Sequence, residues 1–376
     1  MRKLKLGVAG LGRAFALMAP TLARDKRVEV VAATDPRPEA LEKIARDFGA
    51  KGLASFQDLL KSSAEAIYVA TPHEFHASQA IAAAAAGKHV LVEKPMALSL
   101  KECSAMAEAA KKHRVHLIVG PSHSFDAPIR KTRELIPQFG RVRMITAFNF
   151  TDFLYRPRMP DELKHALLNQ SAHHVDTVRL LAGAPLQSVR AHAVAWDRGQ
   201  GAYSALLSFK ESFATLVYSG NAHFDSDEFT GWIGELGQKK DPEHYGAARR
   251  MLSQKHELLL KAARNYGGED FKSGTAEFHE HFGPIIVSCD KADLRPLPNG
   301  VMIYADGERH LEPLPLTDAT RAGVIDELYD AVVNGKPPLH DGPWGLATTE
   351  ACLAILESAR TGKEVPLKHQ TSASRT

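Results

Sequence analysis

The chain has 376 residues, 44% hydrophobic and 24% charged, with a formal net charge of +3. That apolar fraction supports packed cores and excludes disordered or fibrous classes, and the length fits two domains. Without a basic stripe or a block of like charges, a nucleic-acid binder is not indicated.

Met1-Arg2-Lys3-Leu4-Lys5 ahead of apolar residues mimics an export signal. Arg13 interrupts the apolar run, and Gly7, Gly10 and Gly12 spell a turn, so the reading is a strand entering a glycine turn. No uncharged run reaches the ~18 residues of a membrane span. Cys103, Cys289 and Cys352 are too scattered for a disulfide framework or a Cys-x-x-Cys pair. A soluble, cytoplasmic protein is expected.

Up to about Pro121, apolar runs at Leu4–Ala9, Val28–Thr34, Ala66–Ala70, Val90–Val92 and Val115–Val119 alternate with helix-period segments. Continuous apolar runs of this length suit parallel strands covered on both faces. Leu41, Ile44, Ala45 and Phe48 share one helical face, as do Cys103, Met106, Ala107 and Ala110. Ser99 with Glu102 makes a capping box, and Gly87 ends an alanine-rich helix. Repeated strand–helix units imply a doubly wound sheet. After Pro121, Val142–Phe150, Ala202–Phe209 and Phe213–Tyr218 mix polar with apolar residues, the pattern of an antiparallel sheet. Helices are expected near Ser171–Leu181, Thr320–Asn334 and Pro343–Arg360. The less regular segment 231–283 reads as an insertion or lid.

Three sites carry chemistry. Gly10, Leu11, Gly12, Arg13 and Ala14 lie between a strand and a helix, where glycines allow a tight turn and close approach of a pyrophosphate. Phe15 stands at the third glycine position of that fingerprint. Asp35, 23 residues beyond Gly12, is placed to accept the ribose hydroxyls. It would repel a 2′-phosphate and so favours NAD; Arg37 could attract one and leaves NADP open. Thr71, Pro72 and His76 follow the third strand, and Glu93-Lys94-Pro95 the next, at strand ends where ligands bind. Partial burial would lower the Lys94 pKa and suit it to proton exchange with a hydroxyl; alternatively it is a surface lysine paired with Glu93. His73 and His76 without a carboxylate or cysteine partner are a weak zinc signal, and no metal is assigned. His279, His281 and Cys289 read as surface or packing residues.

This sequential set, with His173-His174-Val175-Asp176 farther on, resembles the glucose–fructose oxidoreductase / inositol dehydrogenase family. The resemblance implies an α/β fold. A Rossmann doubly wound parallel sheet (1–122) would be followed by a C-terminal α+β domain (123–376) with a large, mostly antiparallel open sheet that supports homo-oligomers. It also implies NAD-linked dehydrogenation, a cis Lys94–Pro95 bond, and Lys94 and His173 as catalytic residues. Thr71, Pro72, His76, Glu93 and Lys94 would join the cofactor site, and Asn169 the substrate site. Asn169 replaces the family's aspartate, and Ser122-His123-Ser124 replaces an expected Asn/Arg pair, which weakens a sugar or inositol reading. Gly7–Phe15, Ser122–Pro128, Asn149–Arg158, Ala222–Phe229 and Gly231–Glu235 resemble the phthalate 4,5-cis-dihydrodiol dehydrogenases. That narrower resemblance implies a small diacid diol as partner, with Tyr155, Arg156, Arg158 and His123 as substrate-binding candidates.

Overall fold

A computed structural model describes residues 2–152, 162–195, 201–243, 246–254, 256–270, 276–316 and 319–373. In chain order its elements begin with β1 (Leu4–Ala9), α1 (Arg13–Arg24), β2 (Val28–Thr34), α2 (Pro38–Phe48), β3 (Lys51–Leu53) and α3 (Phe56–Leu60). They continue with β4 (Ala66–Val69), α4 (His76–Ala85), β5 (His89–Val92), α5 (Leu100–His113) and β6 (Leu117–Val119). Next come α6 (Ala127–Leu135), β7 (Val142–Phe150), α7 (Glu162–Ala182), β8 (Leu186–Val194), β9 (Ala202–Phe209) and β10 (Phe213–Ser219). The rest are α8 (Ala247–Gln254), α9 (Glu257–Ala263), β11 (Ile285–Cys289), β12 (Ala292–Leu297), β13 (Gly300–Ala305), β14 (Glu308–Pro313), α10 (Ala322–Asn334), α11 (Gly342–Thr361) and β15 (Val365–Pro366).

The chain forms two compact units. Met1–Pro121, His256–Thr275 and Arg321–Thr349 make the first, and Ser122–Lys255, Ala276–Thr320 and Glu350–Thr376 the second. A single cut after residue 122 therefore does not describe the chain, because two later segments return to the first unit. Burial is the reason: Tyr266 is 1% exposed against Phe15, and Val324, Ile325 and Leu328 of α10 are wholly buried. The segment 231–283 is likewise not one lid but is divided between the units.

The first unit holds a six-stranded sheet in the order β3-β2-β1-β4-β5-β6, parallel throughout. The order reverses between β1 and β4, the switch point at which such sheets bind ligands beyond their strand ends. Ala77, Ala80 and Ala83 of α4 join Ile67, Val69, Val90 and Met106 in one core, the small side chains letting helix and sheet approach closely. Ser99 caps α5: its Oγ accepts from Glu102 N at 3.3 Å and donates to Glu102 Oε2 at 2.8 Å.

The second unit holds a nine-stranded sheet in the order β14-β13-β12-β11-β7-β10-β9-β8-β15. Only β7–β10 is parallel. Ile145, Ala147, Leu207, Leu216 and Val287 are buried on one face, and Val175 and Val178 of α7 are buried with them. α7 starts nine residues before the expected Ser171. Strands β8 and β11–β14 were not foreseen; charged positions such as Asp293, Glu308 and Arg309 give the meander the composition of a loop. No helix among the described residues is long and apolar enough to cross a membrane.

Candidate active site

In the first unit the chemistry begins at the turn from β1 into α1. Gly10 has φ +89°, and a Cβ there would lie 2.7 Å from the Ala70 carbonyl oxygen, so only glycine lets the turn meet the end of β4. Gly12 caps α1 without a side-chain bond, which leaves helix N–H groups available to an anion. A Cβ on Gly12 would meet nothing closer than Asn265 Oδ1 at 3.9 Å, so a pyrophosphate has room at this backbone. These features fit a dinucleotide. Leu11 is buried, whereas Arg13 and Ala14, in the first turn of α1, are half-buried.

Asp35 follows β2 and first stabilises the turn itself. Its Oδ2 accepts from Leu11 N at 2.7 Å, and its Oδ1 accepts from Arg37 N at 3.0 Å and Arg37 Nε at 2.9 Å. Arg37 Nη2 donates to the Leu11 carbonyl at 2.7 Å. The two side chains read as opposing votes on a 2′-phosphate are thus one ion pair. A carboxylate has further lone pairs for ribose hydroxyls.

Thr71 and Pro72 leave β4, with Thr71 Oγ1 donating to Gln79 Oε1 at 2.7 Å. His76, expected in the cofactor site, is fully buried, with Nδ1 3.0 Å from Pro95 O and Nε2 2.9 Å from Thr71 O. Burial lowers its pKa, and a neutral ring donates to one of these carbonyls at a time. The ring thereby braces the turns that follow β4 and β5. Glu93 is also turned inward, accepting from Tyr68 Oη at 2.5 Å, and burial raises its pKa. Lys94 is half-buried at the exit of β5, and the Lys94–Pro95 peptide is cis.

In the second unit, His123 and His173 come together with ring centroids 4.7 Å apart, and Phe282 packs on both at 5.3 and 4.8 Å. His123 is 4% exposed, with Nδ1 2.6 Å from Asp126 Oδ2 and Nε2 3.6 Å from Glu235 Oε1. Burial alone would depress its pKa, but the two carboxylates outweigh it and hold the imidazolium, with a pKa of about 10. That charge and burial push neighbouring His174 down to about 3, burial being the larger cause. His174 Nδ1 meets Tyr203 Oη at 2.8 Å. Its Nε2 and the Tyr218 hydroxyl find no hydrogen-bond partner among the described residues. Ser122 and Ser124, standing in for the Asn/Arg pair, both donate to Asp176 Oδ2. Asn169 lies one turn before His173 on α7, half-buried.

His123, Asp126 and Glu280 also place ligand-type atoms within 4.8 Å of one another. At 2.6 Å the His123–Asp126 contact is a hydrogen bond, and its proton occupies the lone pair a metal would use. Tyr155, Arg156 and Arg158 lie outside the described residues. Asp126, Glu235, Phe282 and Tyr68 escaped the sequence reading. Asp126 and Glu235 had a local signal, since they lie in the distinctive stretches Ser122–Pro128 and Gly231–Glu235.

Residues 4–121 match the family model described as "Oxidoreductase family, NAD-binding Rossmann fold". A 1-carboxy-3-chloro-3,4-dihydroxycyclohexa-1,5-diene dehydrogenase of Comamonas testosteroni is 42% identical over 377 residues, 95% of either chain. A 1,5-anhydro-D-fructose reductase of Ensifer adhaerens is 28% identical over 93% of this chain and 97% of its own. A solved structure from Bordetella bronchiseptica RB50 is 37% identical with a TM-score of 0.91, covering 97% of this chain and all of its own.

Proposed function

This chain is an NAD-dependent dehydrogenase of the glucose–fructose oxidoreductase / inositol dehydrogenase (Gfo/Idh/MocA) family, and from that premise we propose that it oxidises a ring-carboxylated cis-diol of cyclohexadiene. The product is the corresponding aromatic diol acid. The observation that carries this reading is the 42% identity along 95% of both chains to a dehydrogenase named for such a diol. Within that class, the sequence resemblance to the phthalate dihydrodiol enzymes points to two ring carboxylates, held by Arg156 and Arg158 beside Tyr155. An arginine fork binds a carboxylate through paired, charge-assisted hydrogen bonds.

Bound NAD supplies the hydride acceptor for one carbinol C–H. Gly10, Leu11, Gly12, Arg13 and Ala14 hold its pyrophosphate, and Asp35 its ribose. Lys94 or His173 takes the proton of the carbinol hydroxyl as its C–O becomes a carbonyl. Enolisation then moves the C–H proton of the second carbinol carbon to that oxygen, and aromaticity drives the step. The His123 imidazolium, fixed by Asp126 and Glu235, packs beside the His173 ring. A polyol substrate is the second reading, favoured by the full-length anhydrofructose reductase relative.

NADH formation would be measured with dicarboxylated, monocarboxylated and neutral cis-dihydrodiols and with a panel of polyols. Efficient turnover of a carboxylated diol, with a poor neutral diol, is expected. Preference for the monoacid would remove the second carboxylate; activity confined to polyols would overturn the diol assignment.

The chain is also proposed to self-associate through the outer face of the nine-stranded sheet. Phe148, Phe150, Phe224 and Phe229 form a chain of ring contacts of 5.6–6.1 Å, with Phe224 and Phe229 43% and 52% exposed. A contiguous apolar patch of this kind marks an interface, here with a second copy.

A further inference from the structure

The segment that follows α9 packs inside the first unit, against the dinucleotide turn. Tyr266 is its peg: the ring meets Phe15 edge-on at 4.9 Å, and the hydroxyl donates to Asp47 Oδ2 at 2.5 Å. Lys43 lies over the same ring at 5.3 Å and pairs with Asp47 at 3.0 Å. Phe15 also meets Phe48 at 6.2 Å. The bulky residue at the third glycine position of the fingerprint is therefore half of a socket.

The peg fixes its neighbours over the turn. Asn265 Oδ1 is the nearest group to the open side of Gly12, at 3.9 Å from where a Cβ would stand. The Arg264 carbonyl accepts from Arg13 Nη1 and the Tyr266 carbonyl from Arg37 Nη1, both at 3.4 Å. Beyond the peg the chain closes tightly: Gly268 N donates to Asn265 O at 2.9 Å and Asp270 N to Ala263 O at 3.0 Å. A Cβ on Gly268 would lie 2.3 Å from Ala263 O, so this close packing needs glycine.

We propose that residues 262–270 form a third wall of the NAD site, in which Asn265 contacts the pyrophosphate at Gly12 and Tyr266 fixes the wall on Phe15. The same strap sets cofactor preference. Arg37 gives Nε to Asp35, Nη2 to Asp35 and the Leu11 carbonyl, and Nη1 to the strap. Bound in this way, the guanidinium must break existing bonds before it can receive a 2′-phosphate, and NAD wins. Loosening the strap frees Nη1 and lowers that barrier.

The test is calorimetric titration of NAD and NADP into the full chain without substrate, so its outcome is independent of which diol is oxidised. Asn265→Ala should raise the Kd for NAD roughly three- to tenfold, as loss of one hydrogen bond does, and leave the NAD/NADP ratio unchanged. Tyr266→Ala should weaken NAD at least as much and shift the ratio toward NADP. Tyr266→Phe, which keeps the ring in its socket, should fall between wild type and Tyr266→Ala. Hydrogen exchange should show residues 262–270 more protected when NAD binds. If Tyr266→Ala does not fold, Asn265→Ala and the exchange data decide. Unchanged NAD affinity in Asn265→Ala, or no NAD-dependent protection of the strap, would overturn the proposal.

Discussion

His123 shows how far one side chain's chemistry depends on what folding puts beside it. In sequence it is a histidine between two serines; in the fold, Asp126 and Glu235 keep it protonated against the burial that opposes charge. Its folded pKa of about 10 lies above the unfolded value of 6.5. Its stabilising contribution is therefore complete below about pH 6.5 and is lost as pH rises through about 10. Urea midpoints measured between pH 6 and 10 should fall more steeply in wild type than in His123→Gln, and parallel curves would show that His123 carries no such charge. Lys94 is the complementary case, legible from its tripeptide and proposed as a proton acceptor. Lys94→Ala is expected to lower turnover by roughly two to four orders of magnitude, as for a lost general base, with little change in NAD affinity. Near-normal turnover would shift the proton transfer to His173 or water.

At the scale of elements, local signals served best where a covered strand or a cap imposes its own pattern. The runs behind β1, β2, β4 and β5 are apolar because both faces of a parallel sheet are covered, and Ser99 with Glu102 starts α5 as a capping box should. The β12–β14 meander has no such pattern, since its exposed positions carry charge and cross-strand register makes it a sheet. Phe15 is the clearest element-scale correction: what breaks the glycine fingerprint joins α1, α2 and the strap. Phe15→Ala should cost about 3–5 kcal/mol of unfolding free energy, the range for emptying a buried phenyl site. Chemical denaturation would measure this, and a loss below about 1 kcal/mol would mean that the socket collapses without penalty.

At the scale of the whole molecule, the proposed self-association through the outer sheet face can be tested with one charge. Phe229→Glu would place a charge in the aromatic patch with little effect on the sheet's buried face. Sedimentation should show wild type as a dimer or larger and this variant shifted toward monomer. An identical distribution for both would place any interface elsewhere.

By itself, the sequence determined the two fold classes, the strand–turn–helix that receives NAD, and the order of the motifs that mark the family. Those features are local, because glycine conformations, strand hydrophobicity and caps act within a few residues. Only the tertiary structure decided that Asp35 and Arg37 pair, that His76 and Glu93 point inward, and that His123 meets Asp126, Glu235 and His173. It also decided that residues 256–275 and 321–349 return to the first unit. Each of these rests on contacts across the fold or on a choice between competing polar partners, and burial and electrostatics settle that choice only once the chain is packed.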